Sequence, residues 1–381
     1  MRALVFIWSF RGSKDPYLDS RIAEECIALS KKIKVIVVAE DISSGTNNNL
    51  SLIRVPKISV PFIQTLYRIF VYSTATIKHR EKYDLVFVRT LNIPHFVAGI
   101  IARKFLKKKL VIWLSGSVTS HQGIRKKIFN SIARKTLDTA DLIISSSDRV
   151  LDEIENYVGN VDRTKLSIMR QAVNIQRFKP LTNNVDDNIL LSVGRIDPVK
   201  GFESIIESLP YVIEKIPNVK LKLIGSTENI NYLNSLKDLI SELQCEPFVE
   251  FVGPIPHGDL VNWYNSSKIF ILTSKSEGQS NVTLEAMACG RPVIITPVSE
   301  ISGHIQDGIN GFLLKSIQPK LLAQKIIDLL NDENYRLQIG KAARKTIEEN
   351  YTEDQFIDNL TRLLRNVIDQ NHLQKRYYTT S

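Results

Sequence analysis

Two acids stand eight positions apart in "SEGQSNVTLEAMACGRPVIIT", residues 276–296. Glu277 lies just ahead of Gly278, and Glu285 lies inside an Ala/Met/Leu-rich run that closes at Gly290, with Pro292 beyond. The run reads as a helix. Ser280 or Asn281 offers a side-chain oxygen to the free N–H groups of a first turn, and a glycine followed by proline is a common helix stop. Ahead of it, "KIFILTS" (residues 268–274) reads as a buried strand. One carboxylate therefore sits on a loop at a strand's carboxyl end, and the other about one turn into the next helix. Between them, N–H groups near Asn281, Val282 and Thr283 carry partial positive charge and suit a phosphate. Glu285 can accept hydrogen bonds from a pair of hydroxyls, such as a ribose offers. Gly278 allows close approach of a ligand to the backbone. Glu277 would face whatever lies beyond the phosphates.

A diphosphate also calls for cations. "NILLSVGRIDPVKG" (residues 188–201) ends a second apolar strand at Gly194 and Arg195, with Lys200 and Gly201 close behind. Either cation alone reads as a surface charge. Together, at a strand end in the same domain as the acid pair, they can share a pyrophosphate.

The elements that must position these groups form a regular series. "ALVFIW", "IKVIVVA", "YDLVFVR", "KLVIWLSGS" and "ADLIISSS" alternate with helical patterns through the first half. Short, uniformly apolar strands separated by helices indicate a parallel α/β sheet covered on both faces. The pattern pauses at the polar "RFKPLTNNVDDN" (residues 177–188), which reads as an interdomain linker. It then restarts and runs through "PVIIT". The chain is expected to hold two doubly wound, Rossmann-like α/β domains facing a central cleft. Residues 1–182 form the first domain and 183–350 the second. Residues 351–381 form a terminal helix, packed back on the first domain, and a tail. Ligands of such sheets bind at the carboxyl ends of the strands.

Composition supports a globular chain of 381 residues, 43% hydrophobic and 24% charged, too long for one ordinary core. Three cysteines far apart argue against a disulfide framework and for a reducing compartment. The opening "MRALVFIWSF" reads as a first strand rather than a signal peptide. No Asp-x-Asp occurs, and the six histidines show no ligand spacing, so no metal or other cofactor is expected. The net charge of +10 is uneven. Residues 1–182 carry 30 basic and 15 acidic side chains, a net of +15, against −5 for the rest. Such a split suggests that the halves meet different partners. The basic clusters "RKFLKKK" (103–109) and "GIRKKIFNSIARK" (123–135) suit an anionic membrane surface. Without regularly spaced stacking aromatics they do not suit nucleic acid. "ISVPFIQTLYRIFVYSTATI" (58–77) has Arg68 as its only charge. It reads either as a buried helix pair or as a segment lying in a membrane interface.

"VGRIDPVKG" and the Glu277–Glu285 stretch resemble the nucleotide-sugar signatures of family 4 retaining glycosyltransferases, which have the GT-B fold. "ADLIISSSDRV", "VEFVGPIPHGDLVNWYNSSKIFILTS", "DGINGFLL" and "YTEDQFIDNLTRLL" match further phrases of that family. The resemblance covers the second half almost end to end and the first half loosely. It implies a nucleoside-diphosphate-sugar donor held by Gly194, Arg195, Lys200, Gly278, Gln279, Ser280, Asn281, Val282, Thr283 and Glu285. Arg195, Lys200 and Glu277 would be the catalytic groups. It implies that Glu285 binds the ribose and that Glu277 stands near the donor sugar, as nucleophile, electrostatic stabiliser or hydroxyl contact. The chain departs from the usual pattern in four places. Gln279-Ser280 replaces an aromatic-glycine pair, and "QAVN" (171–174) replaces "NGVD". Only Gly12 follows the first strand where relatives carry a glycine-rich loop. Ser115-Gly116-Ser117 stands where many carry a histidine, with His121 a few residues later. Gly12, Ser117 and His121 are the acceptor-side candidates. The acceptor is expected to be a glycan or a polyprenyl-linked glycan. The protein is expected to be cytoplasmic, touching the anionic inner face of the membrane through its basic half. Two alternatives stay open: a GT-B nucleotide-sugar epimerase, and a degenerate transferase that serves as a membrane-binding protein.

Overall fold

The structure is a computed structural model. It describes all residues except 8, 11–15, 43–46, 57–62, 115–122, 182–187, 278–279 and 370–381. The chain divides into two compact units. The first comprises the described parts of Met1–Ser13, Leu18–Met169 and Phe356–Ser381, and the second those of Lys14–Tyr17 and Arg170–Gln355.

The first unit is built on a seven-stranded, all-parallel sheet. Its strand order is Leu50–Arg54, Lys34–Ala39, Arg2–Phe6, Leu85–Val88, Lys109–Leu114, Leu142–Ser145, Leu166–Ile168. The central strands are apolar on both faces and buried on both, which is what helices on either side of a parallel sheet require. Helices Gln64–Lys78 and Ile93–Lys104 pack side by side against it. Residues from Phe356 onward belong to this unit. The Phe356 ring meets Trp113 edge-on at 5.7 Å, and Lys32 pairs with Asp358.

The second unit has a six-stranded, all-parallel sheet. Its order is Val249–Gly253, Val219–Ile224, Asn188–Val193, Ile269–Leu272, Val293–Ile295, Phe312–Leu313. In chain order that is the 3-2-1-4-5-6 arrangement of a doubly wound sheet. The order reverses between Asn188–Val193 and Ile269–Leu272, and the carboxyl ends of the strands at such a reversal are where doubly wound sheets bind ligands.

The unit boundary falls at Met169/Arg170, before the stretch read as a linker. Residues 182–187 of that stretch lie outside the described residues. Its earlier part is anchored in the second unit: Phe178 is buried, its ring 5.2 Å from His257, and Leu181 N–H donates to Asn265 Oδ1. Polar composition hid one buried aromatic. All three cysteines are buried and free. Among the described residues no helix is long and apolar enough to cross a membrane.

Candidate active site

The two loops at the reversal point of the second sheet carry Lys200 and Glu277, and the structure joins them. Lys200 Nζ donates to Glu277 Oε1 at 2.5 Å, with the two side chains only 15% and 13% exposed. Ser274 Oγ donates to the same carboxylate oxygen at 2.8 Å.

Local sequence explains why the pair meets. The chain leaves Asn188–Val193 through Gly194, whose added Cβ would lie 3.3 Å from Lys200 Cε. The lysine stem thus runs over the bare glycine backbone. Asp197 accepts from Val199 N–H and caps the short 3-10 turn Pro198–Lys200. Gly201 ends that turn at φ +63°, a conformation that favours glycine. A Cβ there would stand 2.4 Å from the Thr273 carbonyl oxygen. The loop is bolted to the neighbouring strand end. Lys275 N–H donates to the Val199 carbonyl at 2.7 Å, and Thr273 Oγ1 donates to the Gly201 carbonyl at 2.7 Å. Thr296 Oγ1 donates to the Ser274 carbonyl at 2.6 Å, tying in the next strand as well. Three strand ends therefore fix the Lys200–Glu277 pair.

Arg195 is exposed and forms no ion pair with a described residue. It lines an open recess of about 470 Å³ together with Asp197, Glu228 and Asn229. That recess sits at the carboxyl ends of Asn188–Val193 and Val219–Ile224, beside the reversal point. Arg195 and Lys200 thus leave the same strand but are differently engaged, one open to solvent and one held by Glu277.

Helix Asn281–Ala288 starts where expected, with Ser280 at its N-cap. The Ser280 hydroxyl bonds the Thr283 hydroxyl at 2.8 Å, and both residues are buried. Val282 is buried too. Gly278 and Gln279 lie outside the described residues, as do Gly12, Ser117 and His121.

Glu285, read from the sequence as an acceptor for a pair of hydroxyls about one turn into the helix, is buried. It is 3% exposed, and both its oxygens already have protein partners. The Tyr264 hydroxyl donates to Oε2 at 2.9 Å, and His257 Nε2 lies 3.0 Å from Oε1. These two bonds hold the carboxylate in one orientation. Phe178 covers the cluster, its ring 5.2 Å from that of His257 and 6.0 Å from that of Tyr264. Sequence reasoning missed His257, Tyr264 and Ser274. Ser274 could have been found, since it ends the strand that presents Glu277. His257 and Tyr264 sit in or beside helix Leu260–Ser266, with no spacing that ties them to Glu285. Among the described residues no three His, Cys, Asp or Glu side chains are grouped to hold a metal.

Comparison with known proteins agrees with this architecture. The family described as Glycosyl transferases group 1 matches residues 174–346, and Glycosyltransferase Family 4 matches residues 20–177. The capsular polysaccharide biosynthesis glycosyltransferase CapM of Staphylococcus aureus is 28% identical over 249 residues, which cover 65% of this chain and 61% of that protein. The D-inositol 3-phosphate glycosyltransferase of Streptomyces avermitilis is 24% identical over 225 residues, 55% of this chain and 48% of its own length. The chain thus spans between about half and three fifths of these two relatives. Anabaena Alr3699/HepE, solved in complex with UDP, superposes with a TM-score of 0.75 at 18% identity, covering 96% of this chain and 100% of that one. With two parallel-sheet units and these matches running from residue 20 to 346, the chain belongs to the family 4, group 1 glycosyltransferases and has their GT-B fold.

Proposed function

We propose that the protein is a retaining glycosyltransferase that moves a sugar from a nucleoside-diphosphate-sugar to a glycan acceptor, lipid-linked or at the cell surface, on the cytosolic face of a membrane. The observation that carries the donor half is the Lys200–Glu277 pair at the reversal point of the second sheet. HepE, of the same fold, holds UDP and UDP-glucose in its solved structures, which supports the donor class. CapM is named for capsular polysaccharide biosynthesis, which supports a surface glycan as acceptor.

The chemistry follows from where charge develops. Breaking the bond between the sugar's anomeric carbon and the diphosphate leaves negative charge on the phosphate oxygens and positive character on the sugar. Groups already aimed at those charges lower the barrier without reorganising. Arg195 and Lys200 supply cations for the diphosphate, and the first-turn N–H groups of helix Asn281–Ala288 add a partial positive charge. Glu277 supplies the carboxylate for the sugar. Held as an ion pair by three strand ends, Lys200 and Glu277 form a fixed dipole that the departing diphosphate and the cationic sugar can both use. Glu285, kept in one orientation by Tyr264 and His257, is the residue the family resemblance assigns to the ribose. No metal or other cofactor enters this scheme.

Thermal unfolding with UDP, GDP, ADP and CMP tests the reading, on the wild type and on Lys200→Ala. A nucleotide at 100 times its Kd should stabilise by about 2.7 kcal/mol. One nucleoside diphosphate should shift the midpoint, and the shift should vanish in Lys200→Ala. No shift with any of them would overturn the donor site.

A further inference from the structure

We propose that one face of the first unit is a docking surface for an anionic lipid bilayer, built from helix Gln64–Lys78 and the basic segment that follows helix Ile93–Lys104. The helix has two unlike faces. Val71, Tyr72, Ala75 and Thr76 are buried against the unit's core. On the other side Ile63, Leu66, Phe70 and Ile77 recur at helical spacing and lie open, Leu66 and Phe70 at 68% and 66% exposure. A helix that buries one face in its own unit normally turns charge to solvent on the other. Here the outward face is uncharged, with Leu66, Phe70 and Ile77 beside Thr65 and Thr74, and the only charges in the helix are Arg68, paired with Glu40, and the terminal Lys78. Of the stretch 58–77, read as a buried helix pair or an interfacial segment, residues 58–62 lie outside the described residues and the rest forms this one helix, buried on one face and open on the other.

A second observation points the same way and identifies the occupant. The neighbouring helix Ile93–Lys104 ends in Phe105, 76% exposed, with Lys104, Lys107 and Lys108 around it. Lys108 Nζ stands 5.5 Å over the Tyr83 ring, so this segment lies beside the turn that follows Lys78. That turn contributes Arg80 and Lys82, and its acid, Glu81, pairs with Arg80. Among the described residues Lys78, Lys82, Lys104, Lys107 and Lys108 form no ion pair. Lys109 and Arg103 share Asp141 as their partner. Exposed aromatics and aliphatics among uncommitted cations suit the boundary of an anionic leaflet. Apolar side chains enter the acyl region there, while lysines stay with the headgroups. A protein partner of matching acidic surface or a second copy would also cover apolar area. A bilayer accounts for both features at once, because lysines flank Phe105 in sequence and also end helix Gln64–Lys78. The inference depends on the transfer reading only for its purpose, which is to bring the enzyme to a membrane-borne acceptor.

Vesicle co-sedimentation of the full chain, with no donor present, tests the surface. Phosphatidylcholine vesicles containing about 30% phosphatidylglycerol are compared with phosphatidylcholine alone. Binding is expected only to the anionic vesicles and should fall with added salt. Lys104→Ala, Lys107→Ala and Lys108→Ala should each weaken it roughly fivefold. Leu66→Ser/Phe70→Ser should abolish it while leaving the nucleotide-induced stabilisation in place, because those side chains lie outside the fold's core. Equal binding to both vesicle types, or binding untouched by these substitutions, overturns the proposal. So does a wild-type dimer that Leu66→Ser/Phe70→Ser converts to monomer, since a second copy would then be the occupant. Because neither donor nor acceptor enters the assay, failure here leaves the transferase reading standing, and failure of the nucleotide test leaves this surface standing.

Discussion

The Lys200–Glu277 pair carries a prediction that separates a catalytic ion pair from a merely structural one. At 2.5 Å and an effective dielectric of about 20, two unit charges attract by roughly 7 kcal/mol. Most of that offsets the loss of hydration. Removing one member of a fully buried pair costs about 3–5 kcal/mol. With 13–15% of these side chains still in solvent, about 2–3 kcal/mol is the better figure. A unit of this size loses about 2–4 °C of midpoint per kcal/mol, so Lys200→Met and Glu277→Gln should each unfold roughly 4–12 °C early. The double variant removes both charges and should be destabilised by clearly less than the sum, with a coupling of at least ~1 kcal/mol. Ligand binding then breaks the symmetry. Lys200→Met should lose affinity for the nucleoside diphosphate. Glu277→Gln frees the ammonium for the phosphates and should keep or gain affinity, while transfer falls about 10²–10³-fold. Thermal unfolding, a nucleotide titration and a transfer assay on the four proteins give the full cycle. Additive stabilities within ~0.5 kcal/mol, or equal loss of nucleotide affinity in both single variants, would refute the reasoning.

Two further outcomes follow from buried groups. Tyr264→Phe removes one donor from the buried Glu285 carboxylate and should cost about 1–3 kcal/mol in thermal unfolding; an unchanged midpoint would mean that this hydroxyl does not hold Glu285. Burial of His95 beside Phe6 and Tyr72, opposed by its bond to Thr90 and reinforced by the charge of Arg68, pushes its pKa down to about 3. Its pKa is about 6.5 in the unfolded chain, so between pH 6.5 and about 3 the unfolded state binds the extra proton. The stability due to neutral His95 is therefore complete above pH 6.5 and drains away as pH falls, by up to ~1.4 kcal/mol per pH unit. His95→Leu should show a shallower acid slope than the wild type in denaturant titrations at pH 7 and pH 5, and parallel slopes would contradict this.

The sequence by itself determined what depends on local pattern. Uniform apolar runs such as "DLVFV" and "NILLSV" can be buried only between two layers of helix, so the parallel α/β class was legible without coordinates. The Ser280-Asn281 helix start was legible because capping residues act on their nearest neighbours. Tertiary structure decided what depends on distant residues meeting. Lys200 and Glu277 are 77 positions apart, and only the pairing of Asn188–Val193 with Ile269–Leu272 brings them into contact. The burial of Glu285 was not legible, because a helical spacing says which residues share a face, not what covers that face. Tyr264 and His257 cover it from one stretch of chain and Phe178 from another, both distant in sequence from Glu285. The apolar stretch at 58–77 gave no face from composition. The face appeared only when packing took Tyr72 and Ala75 inward and left Leu66 and Phe70 outside, because burial is a property of neighbours and not of the residue itself.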